Sequence, residues 1–166
     1  MSGETALCRV ATGQDLQQLW GKNIARHPGD PRWQRWSEEY IRYNREGLGI
    51  TFAAVIGGEA VGEGTLLLSP QCRAINGRTA LADGAVTANI NALRIEKRHE
   101  GRGHISALVR MMEQYALQRG ITRLTIGVEE CEARNRAIYA HWGYTAFLFS
   151  EEEDGETILY YSKELT

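Results

Sequence analysis

Blocks of apolar and polar residues follow one another along the chain, and the period of each block predicts an element. Leu7-Cys8-Arg9-Val10 fits a short first strand. Thr12 suits a helix N-cap, and Asp15 falls in the first turn, where a carboxylate is favoured; Leu16, Leu19 and Ile24 form the apolar side. His27-Pro28-Gly29-Asp30-Pro31 ends this helix, because two prolines and a glycine cannot continue it. A second helix is predicted from Arg32 to Arg45, with Trp33, Trp36, Tyr40 and Tyr43 on one face. Ile50 to Ile56 and Ala60 to Leu68 read as a hairpin turning at Gly57-Gly58-Glu59. Ser69 to Gly84 is a long connection. The next β-like stretch runs from Val86 through Ile95. From His104 the apolar residues Ile105, Leu108, Val109, Met112, Tyr115 and Ala116 recur at helical spacing, up to a C-cap glycine at Gly120. Leu124 to Val128 is a strand, in which Gly127 implies a bulge or close backbone approach. Phe147-Leu148-Phe149, an acidic turn from Ser150 to Glu156 and Thr157 to Tyr161 make a final hairpin.

Composition narrows the function class. A chain of 166 residues, 43% hydrophobic and 24% charged, is most simply one domain, residues 1–166, with a sizeable core. A net charge of −2 argues against a large nucleic-acid surface, which needs a basic excess. No apolar run reaches membrane-spanning length. Met1-Ser2-Gly3-Glu4 lacks the basic and apolar regions of a secretory leader, so a cytoplasmic location is expected. The cysteines (Cys8, Cys72, Cys131) and histidines (His27, His99, His104, His141) are scattered, without zinc or disulfide spacing, so no metal is expected.

Candidate chemistry concentrates after the strand that ends near Ile95. Arg98-His99-Glu100-Gly101-Arg102-Gly103 is a charged, glycine-bearing turn that opens the helix at His104. Helix-first amides lack internal partners and carry the positive dipole end, and glycines let an anion approach the backbone. By itself the pattern fits equally an ordinary strand-to-helix turn. In the strand before it, Thr87, Asn89 and Asn91 share one face, with Ala88, Ile90 and Ala92 on the other. Those polar residues either bond to neighbouring structure or face a wet cleft, since unpaired buried amides are costly. Glu63, between Gly62 and Gly64, either faces solvent or serves a cleft as base or amine anchor. Asp83 is a second acidic candidate, and the Glu129–Glu132 patch is expected to be solvated.

The turn Arg98–Gly103 resembles the Arg/Gln-x-x-Gly-x-Gly/Ala signature of the GCN5-related N-acetyltransferases. Asn135-Arg136-Ala137-Ile138-Tyr139-Ala140-His141-Trp142-Gly143-Tyr144 resembles the family's second marker, an Asn, an Ala, then Tyr-x-x-x-Gly-Phe/Tyr. The detailed resemblance spans Asn89 to about Phe149. It implies an α/β acyl-CoA N-acyltransferase (GNAT) fold, with a mixed, mostly antiparallel sheet of six or seven strands flanked by helices. Acetyl-CoA would be the co-substrate and an amine the acceptor; no metal is implied, and homodimers are frequent in the family. The resemblance assigns the pyrophosphate to Arg98, His99, Glu100, Gly101, Arg102, Gly103 and His104. It assigns the pantetheine arm to Asn91, Ala92 and Leu93, a further cofactor contact to Asn135, and protonation of the departing thiolate to Tyr139. The family splays its fourth and fifth strands to admit the thioester. The glutamate base that some members carry on this strand would fall near Thr87 and is missing, which leaves Glu63, Asp83 or Glu129 to take the amine's proton. Another departure is Glu132, which stands seven residues before Tyr139, where the family often has its Asn.

The aromatic stripe Trp33–Tyr43 would be core or a wall of the acceptor pocket. Glu38, Glu39, Glu63, Asp83 and Glu129 suggest a cationic amine such as a polyamine, an aminoglycoside or a peptide N-terminus. The alternative is a silent acyl-CoA sensor of the same fold. A nucleotide-binding protein of another fold is disfavoured, because Gly101-x-Gly103 lacks the third glycine of the dinucleotide fingerprint.

Overall fold

The computed structural model describes Thr5–Thr166; Met1–Glu4, on which the absence of a leader was read, lie outside the described residues. The elements are β1 (Leu7–Val10), α1 (Gly13–Arg26), α2 (Pro31–Glu46), β2 (Gly49–Ile56), β3 (Glu59–Leu67), β4 (Thr87–Ile95), a 3₁₀ turn (Lys97–His99), α3 (His104–Gln118), β5 (Arg123–Glu129), α4 (Ala133–His141), β6 (Ala146–Glu153) and β7 (Glu156–Glu164). Seven strands lie in the order β1-β2-β3-β4-β5-β7-β6. β4 and β5 are parallel, whereas β1 with β2, β5 with β7 and β6 with β7 are antiparallel. The chain clusters into two compact units. One holds the described residues through Leu66 with Ala92–Gln114; the other holds Leu67–Asn91 with Tyr115–Thr166.

In the first unit, local chemistry fixes the helix ends. Thr12 Oγ1 accepts from the Asp15 amide and Asp15 Oδ2 from the Thr12 amide, a closed capping box. Arg9 also grips Asp15 through two charge-assisted bonds of 3.0 and 2.9 Å, tying β1 to the start of α1. Burial opposes ionisation of Asp15, but Arg9 and the Thr12 amide outweigh it and hold the carboxyl below its ordinary range. Pro31 occupies the first turn of α2 behind an Asp30 N-cap, and Gly47 closes that helix in the left-handed region. The segment that ends α1 therefore also starts α2.

β2 and β3 are buried almost throughout, so they read as continuous apolar runs rather than alternating ones. Leu19, Ala53, Val55 and Ala60 pack together, and the buried Thr51 and Thr65 hydroxyls bond to each other at 2.8 Å. Gly62 and Gly64 leave room for β4 and α3. A Cβ on Gly62 would lie 2.6 Å from Ile95 Cδ1 and 3.2 Å from the Arg94 carbonyl, and one on Gly64 2.8 Å from Leu93 Cδ1.

In the second unit, the long connection is a folded cap, since Cys72, Ile75, Leu81 and Ala82 are buried. Its Arg78 donates to the Ile75 and Ala74 carbonyls and pairs with Glu151. Asp83 Oδ1 accepts from the amides of Ala85, Val86 and Thr87 at 2.8–2.9 Å. The polar face of β4 has found protein partners. Asn91 donates to Asn89, Asn89 to Thr125 Oγ1 at 2.9 Å, and Thr125 to the Leu81 carbonyl at 2.8 Å. Gly127 admits the Tyr160 ring, whose Cε1 would lie 2.7 Å from an added Cβ.

The expected acidic turn at Ser150–Glu156 needs correcting. β6 runs to Glu153 and β7 starts at Glu156, so the turn is Asp154-Gly155, both at positive φ (50° and 81°). Asp-Gly favours this two-residue hairpin turn, and its twist matches the strands. Among the described residues, no helix is long and apolar enough to cross a membrane.

Two outcomes test this account. The depressed Asp15 pKa makes its contribution complete above the unfolded carboxyl's value of about 4 and lost as pH falls through the lower folded value. Urea midpoints should therefore fall with acidification, and Asp15→Asn should cost about 1 kcal/mol at neutral pH while flattening that fall. Equal slopes in both proteins would remove Asp15 from the account. Gly62→Val should cost about 1–3 kcal/mol by overpacking against Ile95 and the Arg94 carbonyl, and an unchanged melting temperature would contradict it.

Candidate active site

The glycine-bearing turn is built by what precedes and follows it. The β4–β5 ladder pairs Thr87–Ile90 with Arg123–Ile126, although β4 continues to Ile95 and β5 to Glu129. Ala92, two residues beyond the last pair, has φ +54°, a left-handed conformation in mid-strand that a residue with a Cβ adopts only when its surroundings impose it. From Asn91 onward the strand is only partly buried. No residue type signals this break in advance, because alanine carries no preference for that conformation.

After the 3₁₀ turn, Gly101 and Gly103 have φ of +74° and +82°, and a Cβ on either would meet nothing within 4 Å. That open space lies beside the first turn of α3, whose amides have no helical partners. Buried nitrogens of two flanking histidines, His99 Nδ1 and His104 Nε2, also lack partners. Small, bare, donor-rich surroundings of this kind fit an anion such as a pyrophosphate. Arg98 contributes less free charge than its position suggests. It is tied to Glu96 at 3.3 Å and Glu59 at 3.5 Å, within a network in which Lys22 bridges the same two carboxylates. Glu100 and Arg102 are exposed on the turn.

Glu63 does not face solvent. It is 2% exposed, and its Oε2 accepts from Asn23 at 2.9 Å and from Arg94 Nε at 3.2 Å. The Arg94 guanidinium lies over the rings of Trp20 and Trp33, 5.4 and 5.2 Å from their centroids. His27 stacks on Trp33 at 3.8 Å, and Trp36 meets Trp33 edge-on. Glu63 Oε1, Arg94 Nη2 and Trp20 Nε1 are buried without partners. Asn23, Arg94 and Trp20 were not singled out from the sequence, since nothing in their spacing connects α1 to β3 and β4. The two ends of the aromatic stripe differ: Tyr40 and Tyr43 are buried core, Trp33 and Trp36 half-buried.

The remaining expected residues belong to the second unit. Tyr139, on α4, is partly buried and stacks on Trp142 at 5.6 Å. Burial first, and the Glu132 carboxylate after it, push its phenol above the ordinary value. Asn135 donates its side-chain amide to Glu132, the residue standing where the family often has its Asn. Asn91 is bonded to Asn89. Asp83 is held below the usual carboxyl range: burial opposes this, but the amides of Thr87, Ala85 and Val86 outweigh it, and they make it a turn-builder. Glu129, Cys131 and Glu156 bring one ligand-type atom each to within 4.8 Å of one another, a grouping that linear spacing could not reveal. Local desolvation, then the charges of Glu156 and Glu129, raise the Cys131 pKa and favour the thiol over the metal-binding thiolate.

The model of the acetyltransferase (GNAT) family matches residues 14–144. No curated protein sequence matches the chain. The ribosomal-protein-S18-alanine N-acetyltransferase of Escherichia coli superposes with a TM-score of 0.72 at 15% identity, covering 98% of this chain and 95% of that one. An N-acetyltransferase from Staphylococcus aureus gives 0.71 at 14%, covering 98% and 99%. An aminoglycoside 6′-N-acetyltransferase complexed with coenzyme A gives 0.71 at 15%, covering 96% and 97%. At these identities the likeness to solved structures is one of fold, whereas the family model spans most of the sequence with both of its markers inside the match. The chain belongs to the acetyltransferase (GNAT) family.

Proposed function

We propose that the protein transfers an acetyl group from acetyl-CoA to a primary amine by direct attack in a ternary complex. The observation that carries this most is Tyr139, a partly buried phenol, protonated at neutral pH as phenols ordinarily are, at the position where the family's general acid stands. Acetyl-CoA supplies the activated thioester. The open turn at Gly101–Gly103, with the first amides of α3 and the nitrogens of His99 and His104, is suited to its pyrophosphate. The family resemblance sets Asn91, Ala92 and Leu93, which follow the last β4–β5 pair, against the pantetheine arm. Asn135 is a weaker candidate, because its donor is engaged by Glu132.

In the reaction the amine nitrogen forms the C–N bond and the C–S bond breaks. The electron pair departs on sulfur, where Tyr139 Oη donates its proton and is later reprotonated from solvent. The proton lost by the amine leaves through Glu63, whose Oε1 has a free lone pair, and from there to water. Asp83 is the poorer base, since, against burial, the amides of Thr87, Ala85 and Val86 hold its carboxyl below the ordinary range.

Tyr139→Phe should lower kcat about 100-fold or more while acetyl-CoA still raises the melting temperature of both proteins. A raised phenol pKa keeps the acid form available to higher pH, so the wild-type kcat should hold on the alkaline side past the ordinary phenol value of about 10 before falling, and the variant should lack that limb. Turnover unaffected by the substitution would remove Tyr139 as acid. Stabilisation without turnover on any amine would favour the sensor. Gly103→Val, which fills the anion space and strains a +82° φ, should weaken coenzyme A binding about tenfold or more by calorimetry. Unchanged affinity would place the pyrophosphate elsewhere.

A further inference from the structure

The Glu63–Arg94 pair is half-made. A carboxylate and a guanidinium side by side ordinarily form two parallel hydrogen bonds, matching fork to fork. Here Oε2 and Nε are in contact at 3.2 Å, whereas Oε1 and Nη2 are each buried and unpartnered. Each open atom is attached through one carbon to the contact already made, Oε1 through Cδ and Nη2 through Cζ. Leaving both unsatisfied is costly, and the rest of the setting is well ordered: Asn23 fixes Oε2, and Trp20 and Trp33 hold the guanidinium by its faces. The cluster offers one acceptor of negative charge, Glu63 Oε1. Against it stand two donors, Arg94 Nη2 and the neutral Trp20 Nε1.

This polarity selects among amines. A polyamine would bring positive charge toward Arg94 as well as toward Glu63, and the pair's charges cancel. A ligand with an ammonium beside a carboxylate presents the reverse of the pair's pattern and satisfies both open ends. Arg94 also follows directly on Leu93, so along the chain the cluster adjoins the segment to which the pantetheine arm is assigned. We propose that Glu63 and Arg94 form the acceptor subsite and that it takes a free α-amino acid, the amino group on Glu63 Oε1 and the carboxylate on Arg94 Nη2. This rests on the transferase reading and names its substrate class.

The test reads binding and needs no turnover. The holoprotein saturated with coenzyme A is titrated calorimetrically with the standard L-α-amino acids, their carboxamides and the corresponding amines without the carboxyl group. At least one amino acid should bind about tenfold or more tighter than its carboxamide and its amine, because each of these loses the charge-assisted bond to Arg94. Arg94→Lys keeps a cation beside Glu63 but removes the Nη2 arm, and should bring that ratio close to one. Should Arg94→Lys prove unfolded by circular dichroism, Glu63→Gln, which leaves the half-exposed arginine in place, should weaken amino acid and amine alike. Carboxamides binding as well as acids would point to a peptide N-terminus and overturn the proposal. So would a panel in which nothing binds the wild type, the open atoms then being bridged by water. A missing Tyr139 effect on turnover with this discrimination intact would sink the transferase mechanism and leave the subsite standing.

Discussion

Four residue pairs join β4 to β5, and then the parallel ladder stops. Parallel strands in the middle of a sheet are normally paired along their length, because every abandoned amide and carbonyl needs another partner. Here the last pair, Ile90 with Ile126, lies just before the left-handed residue Ala92. The bonded chain Asn91, Asn89, Thr125, Leu81 anchors the strand below the break. Held firmly on one side, β4 turns at Ala92 and runs on to Ile95 beyond its last pair with β5. The glycine turn, the helix N-terminus and Arg94 all follow from where that strand is then directed.

Close packing around the released half of β4 depends on absent side chains. Gly62 and Gly64 of β3 alternate with Glu63, so both small residues face Leu93, Ile95 and Met112 while the carboxylate points to the other face. The same two glycines that bring β4 and α3 against β3 therefore leave Glu63 opposite, with Asn23 of α1. Gly127 does similar work in β5, where it admits Tyr160, a ring that also meets Phe149 at 4.9 Å and the Arg78 guanidinium at 5.3 Å. Glycine in a strand usually weakens it. Here the cost is offset by aromatic and aliphatic groups filling the space a Cβ would take.

The strands and helices were legible where periodicity, caps and turn chemistry agree. Thr12 with Asp15 marks α1, and Gly120 marks the end of α3. The Asp154-Gly155 turn carries its own signal, but the dense acidic run around it read as solvated loop and hid the strand residues Ser150 to Glu153 and Glu156. The turn at Gly101–Gly103 could be identified because glycine itself reports the backbone conformation. Ala92 could not, because its positive φ is imposed by tertiary structure rather than chosen by the residue. The Glu63–Arg94–Asn23 cluster was illegible for a different reason. Its members come from three elements, and only the sheet order makes β3 and β4 neighbours.

Asp83 and Glu63 show why counting carboxylates says little about an acceptor. Asp83 is given over to three backbone amides, which favour its charge and close the turn into β4. Glu63 meets an amide and one arm of a guanidinium, and one oxygen is left over. A buried carboxylate serving structure alone would be expected to fill both oxygens, since its charge is expensive to bury. The carboxylate with this unfilled oxygen is paired with a guanidinium that also has an unfilled nitrogen, so the local charge is balanced while hydrogen-bonding capacity is not. What such a pair selects is a ligand of opposite polarity and zero net charge, and the acidic bias of the surface has no bearing on that choice.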